Sequence, residues 1–520
     1  MFCIDLSHYL LYNKPILFGN GVGFMESREK LSSRLGFILL SAGCAIGCGN
    51  VWKFPWMCGQ YGGGAFVVIY LLFLVILGLP VMTIEFSLGR ASQKSPIKML
   101  GALEPKGTKW HAYSYPTLIG NCLLMMFYTS VTGWIMYYFI RFLGGGMNTI
   151  AADAVGAFNN AVEAGDGSLI AKIAEGLKIL PEEVNVTNAV TYSMGGAFGG
   201  MLASTPVTLI VMAVVVILGF GILSLGVQKG LEKVTKYMMV ALLILMFALA
   251  INSFTLDGAK EGLKFYLLPD FSKIDVNVVV GAMNQAFFTL SLGIGSMAIF
   301  GSYIGKERSL MGESVNIILL DTLVAITAGL IIFPACYTYN IQPDAGPALL
   351  FITMSTVFTN MAGGRIWGTL FFLFMFFAAM STVLAVFENI LAMVCEATGW
   401  KRKKGCLICC IAMLILAAPC ALGNNVWANF NPFAFAGLEG KQILDLEDFL
   451  VSNCLLPLGS MLYVLFVVAE KKGWGWNNFK AEANTGKGLK VKDWIHPYVR
   501  YVLPVIIAVL FVMGMISFFG

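Results

Sequence analysis

Uninterrupted apolar runs long enough to cross a lipid bilayer recur along the whole of this 520-residue chain. A membrane-spanning helix needs roughly 20 mostly apolar residues, and runs such as 206–225 and 502–519 approach that length. Only 12% of the residues are charged and the mean hydropathy is +0.79, whereas ordinary soluble domains carry about 25% charged residues. The runs predict an all-α polytopic membrane protein with about eleven spans, at 33–57, 64–89, 113–142, 205–225, 232–253, 279–304, 311–338, 365–397, 404–423, 446–470 and 495–519.

The placement of basic residues predicts how the chain is oriented in a cell membrane. Clusters of Lys and Arg alternate with segments of mixed or acidic charge. Because cytoplasmic loops carry the excess of Lys and Arg, we expect a cytoplasmic N-terminus and, after an odd number of spans, an extracellular or periplasmic C-terminus. The net charge of +5 then reflects membrane topology and not binding to nucleic acid. The basic clusters lie at 28–34, 90–109, 229–236, 306–308, 401–404 and 471–492.

Two predicted spans contain glycines where a continuous helix would not need them. The first span has Gly43, Gly47 and Gly49, and the sixth has Gly293 and Gly295. Each glycine inside a helix costs about 1 kcal/mol relative to alanine. Close packing of small residues would explain one such span. Two of them, five helices apart, predict a transporter with inverted repeats, in which the first helix of each repeat is broken at mid-membrane.

This pattern predicts two inverted five-helix repeats followed by an eleventh helix. The breaks would free backbone carbonyls for a cation and expose a half-helix N-terminus to an anionic group. The sequence leaves both Met1 and Met25 open as the physiological start. The predicted divisions are a cytoplasmic extension at 1–27, a first repeat at 28–253 with an external loop at 143–204, a second repeat at 254–470 with an external loop at 339–364, and a cytoplasmic loop with the last span at 471–520.

The cysteines and the buried carboxylates do not form a pattern typical of an enzyme. The chain has 12 cysteines but only 3 histidines, and most cysteines fall inside predicted spans, where a thiol behaves as a small hydrophobic group. The CxxCC spacing at 406–410 has no second pair and no histidine cluster beside it, which argues against zinc. Glu85, Asp321 and Glu388 lie on separate spans. We therefore predict that the chain is not an enzyme.

Several motifs in the chain resemble the neurotransmitter:sodium symporter family. They are the stretches 33–37, 43–55, 62–66, 80–90, 285–293 and 378–382. The resemblance runs from about residue 28 to the C-terminus, and eleven spans are typical of a bacterial subgroup of the family. It implies the LeuT fold and sodium-coupled import of an amino acid by alternating access.

The resemblance further implies two bound sodium ions, which are carried with the substrate. Sodium is a hard cation that prefers oxygen ligands, and unwound backbone and hydroxyl groups supply them without burying net charge. For the hydroxyls of span 8 alone, hydrogen bonding to the carbonyl four residues earlier is the competing interpretation. The first site, with the substrate carboxylate, would use Ala45, Asn50, Thr289 and Asp321. The second would use the carbonyls of Gly43, Ile46 and Ala378 and the hydroxyls of Ser381 and Thr382.

Asp321 differs from the usual residue of the family. Family members commonly have asparagine there, and chloride-dependent relatives bind chloride nearby, between the positions of Tyr70, Gln285 and Thr289. An ionisable residue at bilayer depth is a candidate functional group. We expect Asp321 to supply the negative charge itself, so that transport is independent of chloride, and a proton cycle at this carboxylate is left open.

The residues implied to surround the substrate predict a neutral amino acid. None of them is charged, so the side chain should be hydrophobic or aromatic. A choice between aromatic and branched aliphatic is only weakly encoded, because one methylene is worth about 1–3 kcal/mol. The implied residues are Cys44, Ala45, Gly47, Gly49, Leu124, Tyr128, Phe288, Ser291, Ile294, Thr382 and Val386.

Two gating pairs also follow from the resemblance. The external pair would be Lys53 and Asp448, and the internal pair Arg28 and Glu396 with Tyr303 nearby. Lysine, unlike the more common arginine, lacks a bidentate fork, and each pair could instead be charged side chains reaching the interface. The expected partners of the protein are the amino acid and the lipid bilayer, without nucleic acid, in a monomer or a weak homodimer.

Three functions compete with sodium symport. A proton-coupled amino-acid carrier of the same architecture is the alternative, although it would not need the paired hydroxyls at 381–382. A channel is less compatible, because Phe288 and Ile294 would block the path that polar rings line in channels. A membrane enzyme lacks a nucleophile and base on neighbouring positions.

Overall fold

The computed structural model describes residues 31–341, 349–438 and 440–519, and over these residues the protein is helical, without a β-strand. Nine continuous helices are long and apolar enough to cross a membrane, and the pair Arg34–Ala45 and Gly49–Gln60 forms one further span with a 54° bend. Span 6 is divided into Val276–Thr289 and Ser296–Gly301. Spans 2 to 5 are Gly64–Ser92, Trp110–Leu143, Thr205–Leu223 and Val227–Ser253, and spans 7 to 11 are Leu310–Thr338, Gly364–Thr398, Arg402–Leu422, Ile443–Val468 and Ile495–Ile516.

These helices confirm the predicted all-α architecture, with bounds within a few residues of the expected ones. The connecting segments contain further helices. The 143–204 loop contains Gly146–Ala164, Gly167–Leu177 and Val186–Ala203, and the 339–364 loop contains Leu349–Asn360. Two further short helices, Ala259–Leu267 and Trp476–Ala483, precede spans 6 and 11.

Span 1 is interrupted where the glycines predicted a break. Its first half begins at Ser33, whose hydroxyl accepts a hydrogen bond from the Gly36 amide at 2.9 Å, as an N-cap should. It ends at Ile46, which has an extended conformation (φ −72°, ψ 100°). Gly47 has no room for a side chain, since a Cβ would collide with the hydroxyls of Tyr128 and Thr382. At the break, Tyr128 of span 3 and Thr382 of span 8 therefore pack directly against the backbone of Gly47.

Span 6 is interrupted by residues with positive φ angles. Gly293 and Gly295 have φ of 94° and 70°, and Ser291 has φ of 50°. Glycine adopts such angles without the steric cost that a Cβ imposes. The buried carboxylate of Glu85 on span 2 accepts hydrogen bonds from the amides of Gly293 (2.5 Å) and Met297 (3.3 Å). Glu85 thus satisfies backbone donors that the break leaves without helical partners.

The two broken spans lie in the middle of the bundle. Span 1 packs against spans 5, 7 and 8, and span 6 packs against span 2 along both of its halves. Span 8 in turn packs along span 3 and against spans 4 and 5. The breaks of spans 1 and 6 are therefore enclosed by spans 3 and 8, so that exposed backbone oxygens face protein and not lipid.

Candidate functional site

A small cavity lies between the two helix breaks, where the substrate site was predicted. Its volume is about 20 Å³, which is close to the space of a single water molecule. Nine of the eleven predicted substrate residues line it, whereas Ile294 and Val386 are buried but do not. Leu456 of span 10 lines the cavity and was not predicted. The lining consists of Cys44, Ala45, Gly47, Gly49, Leu124, Tyr128, Phe288, Ser291, Thr382 and Leu456.

Tyr128 is the principal polar side chain at this cavity. Its hydroxyl oxygen accepts a hydrogen bond from the Cys48 amide at 2.8 Å. The Tyr128 hydroxyl thus accepts from the broken backbone of span 1, and its own O–H is a donor group at the cavity. Amide hydrogens around a helix break and a hydroxyl donor together form a suitable environment for a carboxylate.

The five groups predicted for one sodium ion come together between spans 1 and 8. The Thr382 hydroxyl lies 3.3 Å from the carbonyl oxygens of Gly43 and Ile46. The Ser381 hydroxyl lies 3.4 Å from the Ile46 carbonyl and 2.9 Å from that of Ala378. Hydroxyls and carbonyls that converge from two helices form an all-oxygen, uncharged cluster, which suits a hard monovalent cation.

The groups predicted for the other sodium ion surround Asp321, which is fully buried. The Asn50 amide donates to the Asp321 carboxylate at 2.8 Å, and the Thr289 hydroxyl lies 3.3 Å from that carboxylate. The Asn50 side-chain oxygen accepts from the Gly47 amide at 3.1 Å. Ala45 lines the adjoining cavity. The hydrogen bonds described for Asp321 come from neutral groups, so a cation placed here would meet a carboxylate without a competing basic side chain.

A second cavity of about 210 Å³ lies beyond the first one. Tyr128 and Phe288 line both cavities and therefore separate them. The remaining lining residues come from spans 1, 3 and 10, and they are Cys48, Trp52, Lys53, Trp56, Phe127, Val131, Leu444, Asp445 and Asp448. The two aromatic rings thus form a thin partition between the two cavities.

Lys53 and Asp448, the predicted external gate, both line this second cavity, and no direct ion pair joins them. Their role as a gate stays a prediction. The Lys53 ammonium lies 3.9 Å from the centre of the Phe288 ring, a cation–π contact. The Asp448 carboxylate accepts from the Ser452 hydroxyl at 2.6 Å. Lys53 and Asp448 thus each contact a nearby side chain and not one another. Lysine also lacks the planar guanidinium with which an arginine could hold the carboxylate through two hydrogen bonds.

The predicted internal pair can be followed only in part, because Arg28 lies outside the described residues. Glu396 accepts from the Ser95 amide at 2.7 Å and lies 3.8 Å from the Lys94 ammonium. Tyr303, expected near that pair, donates to Glu388 at 2.8 Å. The pairing of Arg28 with Glu396 stays a prediction.

Two polar networks beside the breaks were not predicted. Arg402 binds the carboxylate of the buried Glu388 through both guanidinium nitrogens, at 2.9 and 2.5 Å. Asn121 of span 3 donates to the Ile294 carbonyl at 2.8 Å, and its own side-chain oxygen accepts from Asn389 of span 8 at 3.0 Å. Glu388 was recognised in the sequence as a carboxylate inside a span, but nothing in the sequence indicates its partner.

Comparison with known proteins agrees with this geometry. The sequence profile of the sodium:neurotransmitter symporter family matches residues 28–519. The sodium-dependent transporter YhdH of Bacillus subtilis is 31% identical, over 94% of this chain and 98% of its own length. The sodium-dependent transporter MJ1319 of Methanocaldococcus jannaschii is 31% identical, over 94% and 90% respectively. The crystal structure of MhsT in complex with L-phenylalanine superposes with a TM-score of 0.77 at 32% identity, and it covers 94% of this chain and 100% of that one.

The two interrupted spans, packed at the centre of inverted repeats, define a membrane transporter of the LeuT fold. The chain belongs to the sodium:neurotransmitter symporter family, and it is a sodium-coupled, multi-pass membrane transporter.

Proposed function

We propose that this transporter imports a neutral amino acid with a hydrophobic or aromatic side chain. The observation that carries the proposal is the composition of the small cavity. Its lining combines backbone around the helix break and the Tyr128 hydroxyl with apolar side chains. Among the described residues, no charged side chain lines it. A zwitterion needs partners for its carboxylate and its amine, but an additional charge would stay unpaired at a large cost. Acidic and basic amino acids should therefore be rejected.

The size of the substrate is supported by the partition between the cavities. Phe288 and Tyr128 bound the small cavity on one side, and rotation of the Phe288 ring would join it to the cavity of about 210 Å³ beyond. The joined space would admit an aromatic side chain. The related transporter MhsT, at 32% identity, was crystallised with L-phenylalanine, which supports the same substrate class here.

We infer that two sodium ions accompany the substrate and that chloride is not needed. The oxygen cluster of spans 1 and 8 and the Asp321 site would hold one ion each. Asp321 supplies the negative charge that chloride supplies in chloride-dependent transporters. Sodium at both sites stabilises the arrangement that binds the amino acid, because the substrate carboxylate and Asp321 would both face the ion bound at Asn50 and Thr289.

The orientation follows from the distribution of charge. With the N-terminus in the cytoplasm and the C-terminus outside, the second cavity opens to the external side.

Substrate binding would draw Phe288 and Tyr128 together over the amino acid, with Lys53 and Asp448 closing above them. Loss of the sodium ion at Ser381 and Thr382 would then release the first half of span 1 on the cytoplasmic side. The binding sites lie within one chain, so a monomer suffices for transport, and association would be a weak homodimer.

The proposal is tested by uptake of labelled amino acids into proteoliposomes. We expect accumulation of phenylalanine, tryptophan and leucine under an inward sodium gradient, without accumulation of glutamate or lysine. A sodium ionophore should abolish accumulation while the vesicles stay intact. Equal accumulation from sodium-free medium under an inward proton gradient would overturn sodium coupling in favour of a proton-coupled carrier, and uptake of glutamate or lysine would overturn the substrate class.

A further inference from the structure

A separate cavity of about 300 Å³ lies at the C-terminal end of span 3. It is bounded by span 3, by two helices of the 143–204 loop and by the first turn of span 4. Among the described residues it shares no lining residue with the substrate cavity or with the second cavity. It is therefore a distinct site, and the transport cycle proposed above does not use it.

Two polar side chains at this cavity lack partners among the residues that the structure describes. Tyr138 is 1% exposed, and its hydroxyl forms no hydrogen bond there. The buried Nε of Arg141 is likewise without an acceptor. The two residues are one helical turn apart, so both side chains are on the same face of span 3. An unpaired buried donor costs about 1–3 kcal/mol, and more when it is charged, so the site lacks an acceptor that carries negative charge.

The surroundings of Arg141 strengthen this interpretation. The neighbouring aromatic group is Tyr137, whose ring centre is 6.0 Å from the guanidinium carbon. No ion pair joins Arg141 to an acidic side chain of the described chain. Ser204, which also lines the cavity, is the N-cap of the 19-residue helix of span 4, and its side chain makes no capping hydrogen bond. The positive end of that helix dipole therefore adds to the positive potential.

The rest of the lining is apolar. Met147 and Ile150 of the loop, with Met201 close to span 4, face the polar groups across the cavity. A cavity of this volume with a few convergent polar groups and an apolar wall is typical of a small-molecule site. We propose that it binds an amphipathic organic anion, with the anionic group at Arg141 and Tyr138 and the apolar part against the methionines.

Binding there would reach the moving parts of the transporter through aromatic packing. The Tyr138 ring lies 5.1 Å from Phe351 in the 339–364 loop and 5.2 Å from Phe372 of span 8. Span 8 carries Ser381 and Thr382. An anion that fixes the Tyr138 hydroxyl therefore also holds the contact between the loop helix and span 8.

The test uses phenylacetate as the probe, with uncharged phenylacetamide as its matched analogue, measured by saturation-transfer NMR on the purified full-length protein. Wild-type protein should bind phenylacetate saturably and phenylacetamide at least about tenfold more weakly, as expected for loss of a charge-assisted contact. Arg141→Gln should weaken phenylacetate binding at least about tenfold, and Tyr138→Phe should weaken it by a smaller factor.

Two control variants show whether the anion binds at this cavity and not elsewhere on the protein. Arg365→Gln removes an arginine at the same end of span 3 whose guanidinium donates to the Leu143 carbonyl, and it should leave binding unchanged. Tyr128→Phe alters the substrate cavity and should also leave it unchanged, so that failure of the amino-acid proposal does not affect the outcome. Equal binding by wild type and Arg141→Gln, or the absence of saturable binding, overturns the proposal.

A lipid head group and a soluble carboxylate share the required chemistry, and a second arm distinguishes them. The titration is repeated in nanodiscs of phosphatidylcholine with and without phosphatidylglycerol. An apparent affinity of wild type for phenylacetate that falls as phosphatidylglycerol is added, while the weak residual binding by Arg141→Gln does not change, identifies the lipid as the occupant. An affinity that does not depend on lipid composition identifies the soluble anion.

Discussion

Replacement of Asp321 by asparagine tests the electrostatic role of the carboxylate that the protein itself supplies to the proposed first sodium site. Asp321 is fully buried, and its described partners are the Asn50 amide at 2.8 Å and the Thr289 hydroxyl at 3.3 Å. Asparagine keeps the shape and an oxygen ligand but removes the charge. Two unit charges about 4 Å apart attract by about 4 kcal/mol at an effective dielectric constant of about 20.

That attraction corresponds to about a thousandfold in affinity, since 1.4 kcal/mol is a factor of about ten. The loss should be smaller, because the neutral side chain no longer bears the cost of burying a charge. We therefore expect the half-saturating sodium concentration of Asp321→Asn in chloride-free medium to rise by about 10- to 100-fold.

The assay is sodium-dependent amino-acid uptake into proteoliposomes, with chloride replaced by gluconate. Wild type should transport the amino acid equally fast in chloride medium and in gluconate medium. Asp321→Asn should transport poorly in gluconate and recover in part with chloride, whereas Asp321→Glu, which retains the charge, should stay independent of chloride. A half-saturating sodium concentration of Asp321→Asn in gluconate within about twofold of wild type would refute the reasoning.

Three further variants test other parts of the site. Thr382→Val removes the hydroxyl 3.3 Å from the Gly43 carbonyl, so the half-saturating sodium concentration should rise about tenfold, from the loss of about 1.5 kcal/mol; an unchanged sodium curve would contradict a ligand role. Tyr128→Phe leaves the Cys48 amide without the hydroxyl at 2.8 Å, and KM for the amino acid should rise about 10- to 100-fold, which concentration-dependent uptake measures; an equal KM would exclude carboxylate binding by Tyr128. Arg402→Gln leaves buried Glu388 without its cation and should lower the free energy of unfolding by about 3 kcal/mol. The Tm should fall, and adding Glu388→Gln to the same chain should restore it in part. A Tm equal to that of wild type would show that the pair is dispensable.

The sequence determined the bounds of the described spans to within a few residues. Bilayer thickness sets a fixed helix length, so an apolar run is sufficient to locate a span. The glycines likewise located the breaks in spans 1 and 6, because positive φ angles at Gly293 and Gly295 and the absence of room for a Cβ at Gly47 require that residue. Nine of the residues that line the small cavity were implied by the family resemblance.

Only the tertiary structure decided which side chains meet across the bundle. Asn121 and Asn389 are 268 residues apart in the chain, and Leu456 reaches the cavity from span 10. No local pattern encodes such pairs, because spans surrounded by lipid and protein are apolar on nearly all sides and show little periodicity. The Lys53 ammonium is the clearest example: its charge and position suggested Asp448, but the packing of spans 1 and 6 brings the Phe288 ring to 3.9 Å. Which side chains contact one another depends on distances of a few ångströms. These distances are set by the packing of the helices and not by the length of the spans.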